Sequence, residues 1–136
     1  MNKIKIAVIG TGLIGSLHAE TFFKNPSSEL IAVCDIDKEK VDKVANKFKC
    51  KAYYEFESLI NSEKLDAISI ATPEQIRIEP AVLAIKQGLQ ILLEKPLGRN
   101  LEEIKNLVSK IQHHNKLIFV NFILHEDPRY KLMKEK

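Results

Sequence analysis

Three glycines in the run Gly10-Thr11-Gly12-Leu13-Ile14-Gly15 stand directly behind the apolar stretch Ile4-Lys5-Ile6-Ala7-Val8-Ile9, and an acid, Asp35, lies about twenty residues past the last of them. The chemistry this spacing offers is recognition of a dinucleotide. A first glycine permits a tight turn, a second lets backbone approach a pyrophosphate, and a third lets a helix pack closely on a strand. The helix that opens there presents free N–H groups and the positive end of its dipole to phosphate. An acid ending the next strand accepts hydrogen bonds from a ribose diol. A lone triplet of this spacing arises by chance. A triplet between a buried strand and a helix, followed by an acid at this distance, is the fingerprint in its context. Gly10, Thr11, Gly12, Leu13 and Ile14 are therefore expected to meet the cofactor's phosphates, and Asp35 its ribose.

Asp35 favours NAD over NADP, because a carboxylate accepts from free hydroxyls and repels a 2′-phosphate. Such charge-assisted bonds are worth roughly 1.5–3 kcal/mol each. Ile36 supplies no positive charge for a phosphate, whereas Lys38 and Lys40 leave NADP open. The rival reading is that Asp35 merely begins a turn with Asp37. Ligands of open parallel sheets bind outside the carboxyl ends of strands, near the switch point. Ala71-Thr72-Pro73 and Glu94-Lys95-Pro96 end two later strands, so both are expected to border the nicotinamide half. A plain helix start explains Thr72-Pro73 equally, and a surface turn remains the alternative for Glu94-Lys95-Pro96. His18 falls inside the first helix, and His113 and His114 fall at a helix end where a cation suits the dipole. Neither they nor His125 are assigned catalysis.

Strands are expected at Ile4–Ile9, Leu30–Cys34, Ala52–Tyr54, Ala67–Ala71, Gln90–Leu93 and Leu117–Phe122, with helical periods between them. The first helix carries Leu13, Ile14, His18, Thr21 and Phe22 at helical spacing. A second, over Lys38–Phe48 with an Asp37 cap, turns Val41, Val44 and Phe48 inward. A brief helix holds Leu59 and Ile60, Thr72-Pro73 stops the fourth strand, and the next helix runs to Gln87, with Gly88 as a left-handed cap. Asn100 caps a helix over Leu101–His114 with Ile104, Leu107, Val108 and Ile111 inward, and a last helix opens at Asp127-Pro128. Six strands and five intervening helices predict an α/β fold, a doubly wound, mostly parallel Rossmann sheet in the order 3-2-1-4-5-6, built in three layers.

At 136 residues, 45% apolar and 29% charged, the chain suits one globular domain with a real core. Its net charge of +3 is spread beside acids, as in Asp37-Lys38-Glu39-Lys40, which argues for a solvated surface and against nucleic acid. Cys34 and Cys50 have no metal or redox spacing, so no metal is expected, and free thiols in a reducing cytoplasm are the default. No apolar run approaches membrane-spanning length.

Taken together, Gly10-Thr11-Gly12-Leu13-Ile14-Gly15, Val33-Cys34-Asp35, Ala71-Thr72-Pro73 and Glu94-Lys95-Pro96-Leu97 resemble the Gfo/Idh/MocA oxidoreductases over essentially the whole chain. The Glu-Lys-Pro motif is the most specific mark. The resemblance implies an N-terminal Rossmann domain paired with a C-terminal α/β domain, interconverting a sugar or polyol hydroxyl and a ketone with NAD or NADP. It implies that Lys95 is the catalytic lysine beside the nicotinamide, orienting the reacting oxygen and stabilising its developing charge, while Glu94 holds the loop. The family's proton-transfer Asp and His come from the second domain. Residues 1–124 are thus expected to form the dinucleotide-binding domain, with 125–136 opening a connection to an absent substrate domain. Alone, the chain would bind cofactor without turnover. Phe122, Ile123 and Leu124 are expected as apolar surface for that domain to cover. Glu74 and Arg77 replace the Asn and His the family often shows after Ala-Thr-Pro, and Leu124-His125-Glu126 replace its arginines. Both departures are expected on the substrate side. A stand-alone NAD-sensing regulatory module is the rival reading, and self-association stays open.

Overall fold

In the computed structural model, which describes residues 2–122 and 127–134, six strands form: β1 (Ile4–Ile9), β2 (Ser28–Cys34), β3 (Lys51–Tyr53), β4 (Ala67–Ile70), β5 (Gln90–Glu94) and β6 (Ile118–Asn121). Every pairing is parallel, in the order β3-β2-β1-β4-β5-β6. The helices between them are α1 (Leu13–Lys24), α2 (Lys38–Phe48), α3 (Phe56–Ser62), α4 (Ile78–Lys86) and α5 (Leu101–Ile111), with α6 (Pro128–Lys134) after the last strand. Each strand-to-strand crossover needs a helix to return the chain to the same end, so helices cover the sheet and its strands read as apolar runs. No helix among the described residues is long and apolar enough to cross a membrane.

Two cores result. On one face Val8, Leu30 and Val33 pack against Ala19 of α1 and Val41, Val44, Ala45 and Phe48 of α2. On the other, Ala7, Ile9, Ile68, Ile70, Ile91 and Leu93 meet Leu59 and Ile60 of α3, Ala81, Ala84 and Ile85 of α4, and Leu107 of α5. The period of two along each strand makes this division. It also sends Ser69, Leu92, Glu94, Phe119 and Asn121 to the α1 face, opposite Ile68, Ile70, Ile91 and Leu93.

The caps follow the sequence. Asp37 accepts from Lys40 N–H at 3.2 Å and Asn100 from Glu103 N–H at 2.9 Å. Gly88, at φ +77°, closes α4 with its N–H on the Ile85 carbonyl.

Four local expectations are revised. The plain helix start that Thr72-Pro73 also allowed does not form: a 3-10 turn over Glu74–Ile76 precedes α4, as suits a chain that must bend around Pro73. Helix α1 buries Gly15 and Ala19, and Leu13 and Thr21 are exposed, because the small residues let this face lie close on the sheet. In α5 Val108 is 46% exposed while Leu107 is 1% exposed, so the apolar stripe is narrower than the spacing suggested. Strand β6 spans Ile118–Asn121, and Leu117 and Phe122 fall outside it. Phe122 is exposed as anticipated; Ile123 and Leu124 lie outside the described residues.

Leu107→Ala should therefore cost about 2–5 kcal/mol by denaturant unfolding, whereas Val108→Ala should stay within about 0.5 kcal/mol.

Candidate functional site

Every residue assigned to chemistry sits at the carboxyl ends of the strands. Gly10 follows β1, Asp35 follows β2, Ala71 follows β4 and Glu94 ends β5. The ladder runs one residue past the strands here: Gly10 N–H donates to Cys34, Ala71 N–H to Ile9 and Asp35 N–H to Tyr53. A cavity of about 590 Å³, lined in part by Lys5, Glu29, Lys51 and Glu63, opens at the opposite ends of β1, β2 and β3 and touches none of these groups.

The three glycines answer to different constraints. Gly10 has φ +91°, and a Cβ there would stand 2.9 Å from the carbonyl carbon of Ala71. At Gly15 a Cβ would fall 1.7 Å from the Gly10 carbonyl oxygen. At Gly12 a Cβ would meet no atom of the described residues within 4 Å. Gly12 is also the N-cap of α1, with no side-chain cap and no acid in the first turn. The first N–H groups of a helix have no partner within it, so this end offers donors and a positive dipole to an open cradle. These residues fit a pyrophosphate. Leu13 is 88% exposed and Ile14 is also exposed, flanking that cradle.

Asp35 faces the glycine loop. Its Oδ2 accepts from Thr11 N–H at 2.6 Å and Thr11 Oγ–H at 3.0 Å, and its Oδ1 accepts from Asp37 N–H at 3.0 Å. Thr11 is buried, and its carbonyl accepts from Ser16 Oγ at 2.9 Å. Ile36 is exposed beside them. The turn with Asp37 and the position beside the glycines coexist.

Ala71-Thr72-Pro73 and Glu94-Lys95-Pro96 are brought together by a residue given no such part in the sequence reading. Arg77 is 3% exposed and donates to the carbonyls of Thr72, Glu94 and Pro96, the Glu94 bond being 2.5 Å. Burial pushes its guanidinium pKa down, against the pull of Glu74 and Glu94. The expectation that Arg77 lies on the substrate side is thus corrected: a guanidinium satisfying three carbonyls faces into the protein. Among the described residues, Thr72 Oγ1 and Arg77 Nε are buried at this junction without a hydrogen-bond partner. Lys95 is exposed, its Nζ in no hydrogen bond or ion pair among the described residues, and its peptide bond to Pro96 is cis.

Beneath Lys95 lies a cluster the sequence did not reveal. Glu94, 5% exposed, receives Lys95 N–H on Oε2 at 3.3 Å. Its Oε1 lies 3.1 Å from His18 Nε2 and accepts from Asn121 Nδ2 at 2.5 Å. His18 Nδ1 is 2.8 Å from Ser69 Oγ. A tautomer protonated on Nε2, donating to Glu94 and accepting from the Ser69 hydroxyl, satisfies both contacts. The connectivity resembles that of an acyl-transfer triad, but Ser69 is fully buried in mid-strand and no substrate can reach it. The signal for this cluster was the strand period: Glu94 and Asn121 are direct partners in the β5–β6 register, and Ser69 shares their face. Placing His18 against them required the α1 packing itself. Burial holds the His18 pKa below its ordinary 6.5, opposed by the Glu94 carboxylate.

Gly15→Ala should destabilise the fold by more than about 2 kcal/mol through the clash at Gly10, and Gly12→Ala should stay within about 1 kcal/mol while weakening dinucleotide binding. For His18, the unfolded chain takes up a proton as pH falls through 6.5, and the folded chain does so only at lower pH. The unfolded state then binds more protons, so stability declines as pH drops below about 6.5. Subtracting the unfolding free energies of His18→Gln from those of the wild type between pH 7.5 and 5 should reveal that decline, and a flat difference would remove it.

The sequence and the fold both have counterparts among known proteins. The chain is 30% identical over 135 residues to inositol 2-dehydrogenase of Rubrobacter xylanophilus, an alignment covering 98% of this chain and 39% of the relative. The crystal structure of myo-inositol 2-dehydrogenase from Lactobacillus plantarum superposes with a TM-score of 0.92 at 28% identity, over 98% of this chain and 40% of that one. Scyllo-inositol dehydrogenase from Lactobacillus casei, crystallised with NAD(H) and scyllo-inositol, shares the fold with a TM-score of 0.92 at 23% identity, over 98% and 40%. The chain thus spans about two fifths of the length of these relatives. A sequence model of the GFO_IDH_MocA group, described as an oxidoreductase family with an NAD-binding Rossmann fold, matches residues 4–122. With its glycine loop, open helix start and strand order all in place, the chain belongs to the Gfo/Idh/MocA oxidoreductase family, as its NAD-binding Rossmann domain.

Proposed function

We propose that this chain holds NAD across the carboxyl ends of its strands and serves a dehydrogenase that interconverts a sugar or polyol hydroxyl and a ketone. The observation that carries the reading is the contrast among the glycines: Gly10 and Gly15 are spent against protein backbone, while Gly12 opens on free space at an uncapped helix start. A ligand approaching the backbone gives the second glycine, open where the others are closed, a purpose. When bound, NAD supplies the group that accepts or donates hydride.

The chain's own residues then divide the work. The first turn of α1 holds the pyrophosphate, and Asp35 accepts from the ribose through the lone pair left on Oδ1. Ala71, Thr72 and Pro73 border one side of the nicotinamide half, with Glu94 and Lys95 on the other. Lys95, exposed at the rim with no Nζ partner among the described residues, orients the substrate oxygen and offsets its charge as a proton leaves it. Glu94, gripped by His18 and Asn121, fixes the backbone from which Lys95 projects. Residues 1–124 form the cofactor domain in this reading and 125–136 lead toward the substrate domain, which supplies the proton-transfer groups. The relatives' names support the substrate class, two of them being inositol 2-dehydrogenases.

Calorimetric titration tests it. NAD should bind and be preferred over NADP, and Asp35→Ala should weaken NAD about tenfold or more, the loss of one charge-assisted hydrogen bond. Absence of binding by either nucleotide would overturn the reading.

A further inference from the structure

We infer that Thr11 sets the choice between NAD and NADP, by latching the Asp35 carboxylate so that it cannot turn away from a 2′-phosphate. The inference rests on the reading that Asp35 meets the cofactor ribose, and deepens it.

Thr11 is 4% exposed, and each of its polar groups is committed. Its N–H and hydroxyl both donate to Asp35 Oδ2, at 2.6 and 3.0 Å, and its carbonyl is held by the Ser16 hydroxyl at 2.9 Å. From the other side Asp37 N–H holds Asp35 Oδ1 at 3.0 Å. An ionised carboxylate offers about four lone-pair sites. Three are taken within the chain, which leaves one for a ligand hydroxyl and fixes the plane of the group. A ribose diol fits such an acceptor. A 2′-phosphate, carrying about −1.5 to −2 charge at neutral pH, does not.

To admit that phosphate, Asp35 would have to swing out and a cation would have to swing in. The latch opposes the first movement, since two of the three bonds holding the carboxylate come from Thr11. The surroundings oppose the second. Lys40 Nζ is paired with Asp37 Oδ2 at 2.8 Å, and Lys38 Nζ sits 5.1 Å over the ring of Tyr54. Of the two restraints, the Thr11 hydroxyl is the one a single substitution removes while leaving the backbone bond and the carboxylate in place.

The test is a pair of titrations, NAD and NADP, on the wild type, Thr11→Val, Thr11→Ser and Asp35→Ala, with thermal unfolding of each variant. Thr11→Val should strengthen NADP relative to NAD, so that the NAD-to-NADP affinity ratio falls about fivefold or more. Thr11→Ser keeps the hydroxyl and should keep the wild-type ratio; Thr11→Ala replaces the valine variant should that one fail to fold. General damage to the loop would weaken both nucleotides together and leave the ratio unmoved. An unchanged ratio in Thr11→Val, with the preference lost in Asp35→Ala, would overturn the latch and leave the NAD reading standing. A wild type that binds both equally would overturn the latch and leave the binding reading standing, and one that binds neither would overturn both.

Discussion

A methyl group on Gly15 would lie 1.7 Å from the Gly10 carbonyl oxygen, and that closeness decides where everything else can be. Because α1 starts against the turn that ends β1, its first N–H groups stand over the strand ends instead of being buried behind them. The same approach encloses Thr11 and holds it within reach of Asp35 at the end of the neighbouring strand. It also carries His18, one turn further along α1, onto the sheet face that bears Ser69 and Glu94. A side chain at position 15 would push the helix outward and loosen three separate contacts at once.

Two polar systems divide the rim. One ties the glycine loop to the acid after β2; the other ties α1 to the ends of β4, β5 and β6. In each, a carboxylate, half-buried at Asp35 and buried at Glu94, takes donors from different elements, which is the condition for such groups to be tolerated away from water. The Glu94 carboxylate has partners from His18, Asn121 and its own next residue, so removal of any one leaves the others to crowd into a changed geometry. These networks add specificity of placement to a scaffold whose cohesion comes from Val, Ile, Leu and Ala on both sheet faces.

Much of this was legible in advance because the governing signals are local. The glycine triplet, the strand-length apolar runs, Asp37 and Asn100 as caps and Gly88 as a stop each act over a few residues, and right-handed crossovers then leave one strand order. The apolar stripe of α5 was misjudged at Val108 because spacing gives an angle around the helix but not how deeply the helix is seated. His18 and Arg77 were assigned by their immediate neighbours in sequence. Their partners lie at positions 69 and 94 and at 72, 94 and 96, and no period connects them. Polar clusters assembled from several elements are written in the packing, and packing is not local.

Arg77 occupies a place where the family this chain resembles often carries histidine. A guanidinium keeps its proton at any pH the fold survives, whereas an imidazole would gain and lose charge near neutrality. The tie joining the Thr72 and Pro96 carbonyls is consequently indifferent to acidity, and one side chain holds the two loops at the rim together. The neighbouring His18 contact, by contrast, responds to protons. The chain thus keeps the mutual spacing of its two rim loops constant across the range in which the support beneath one of them titrates.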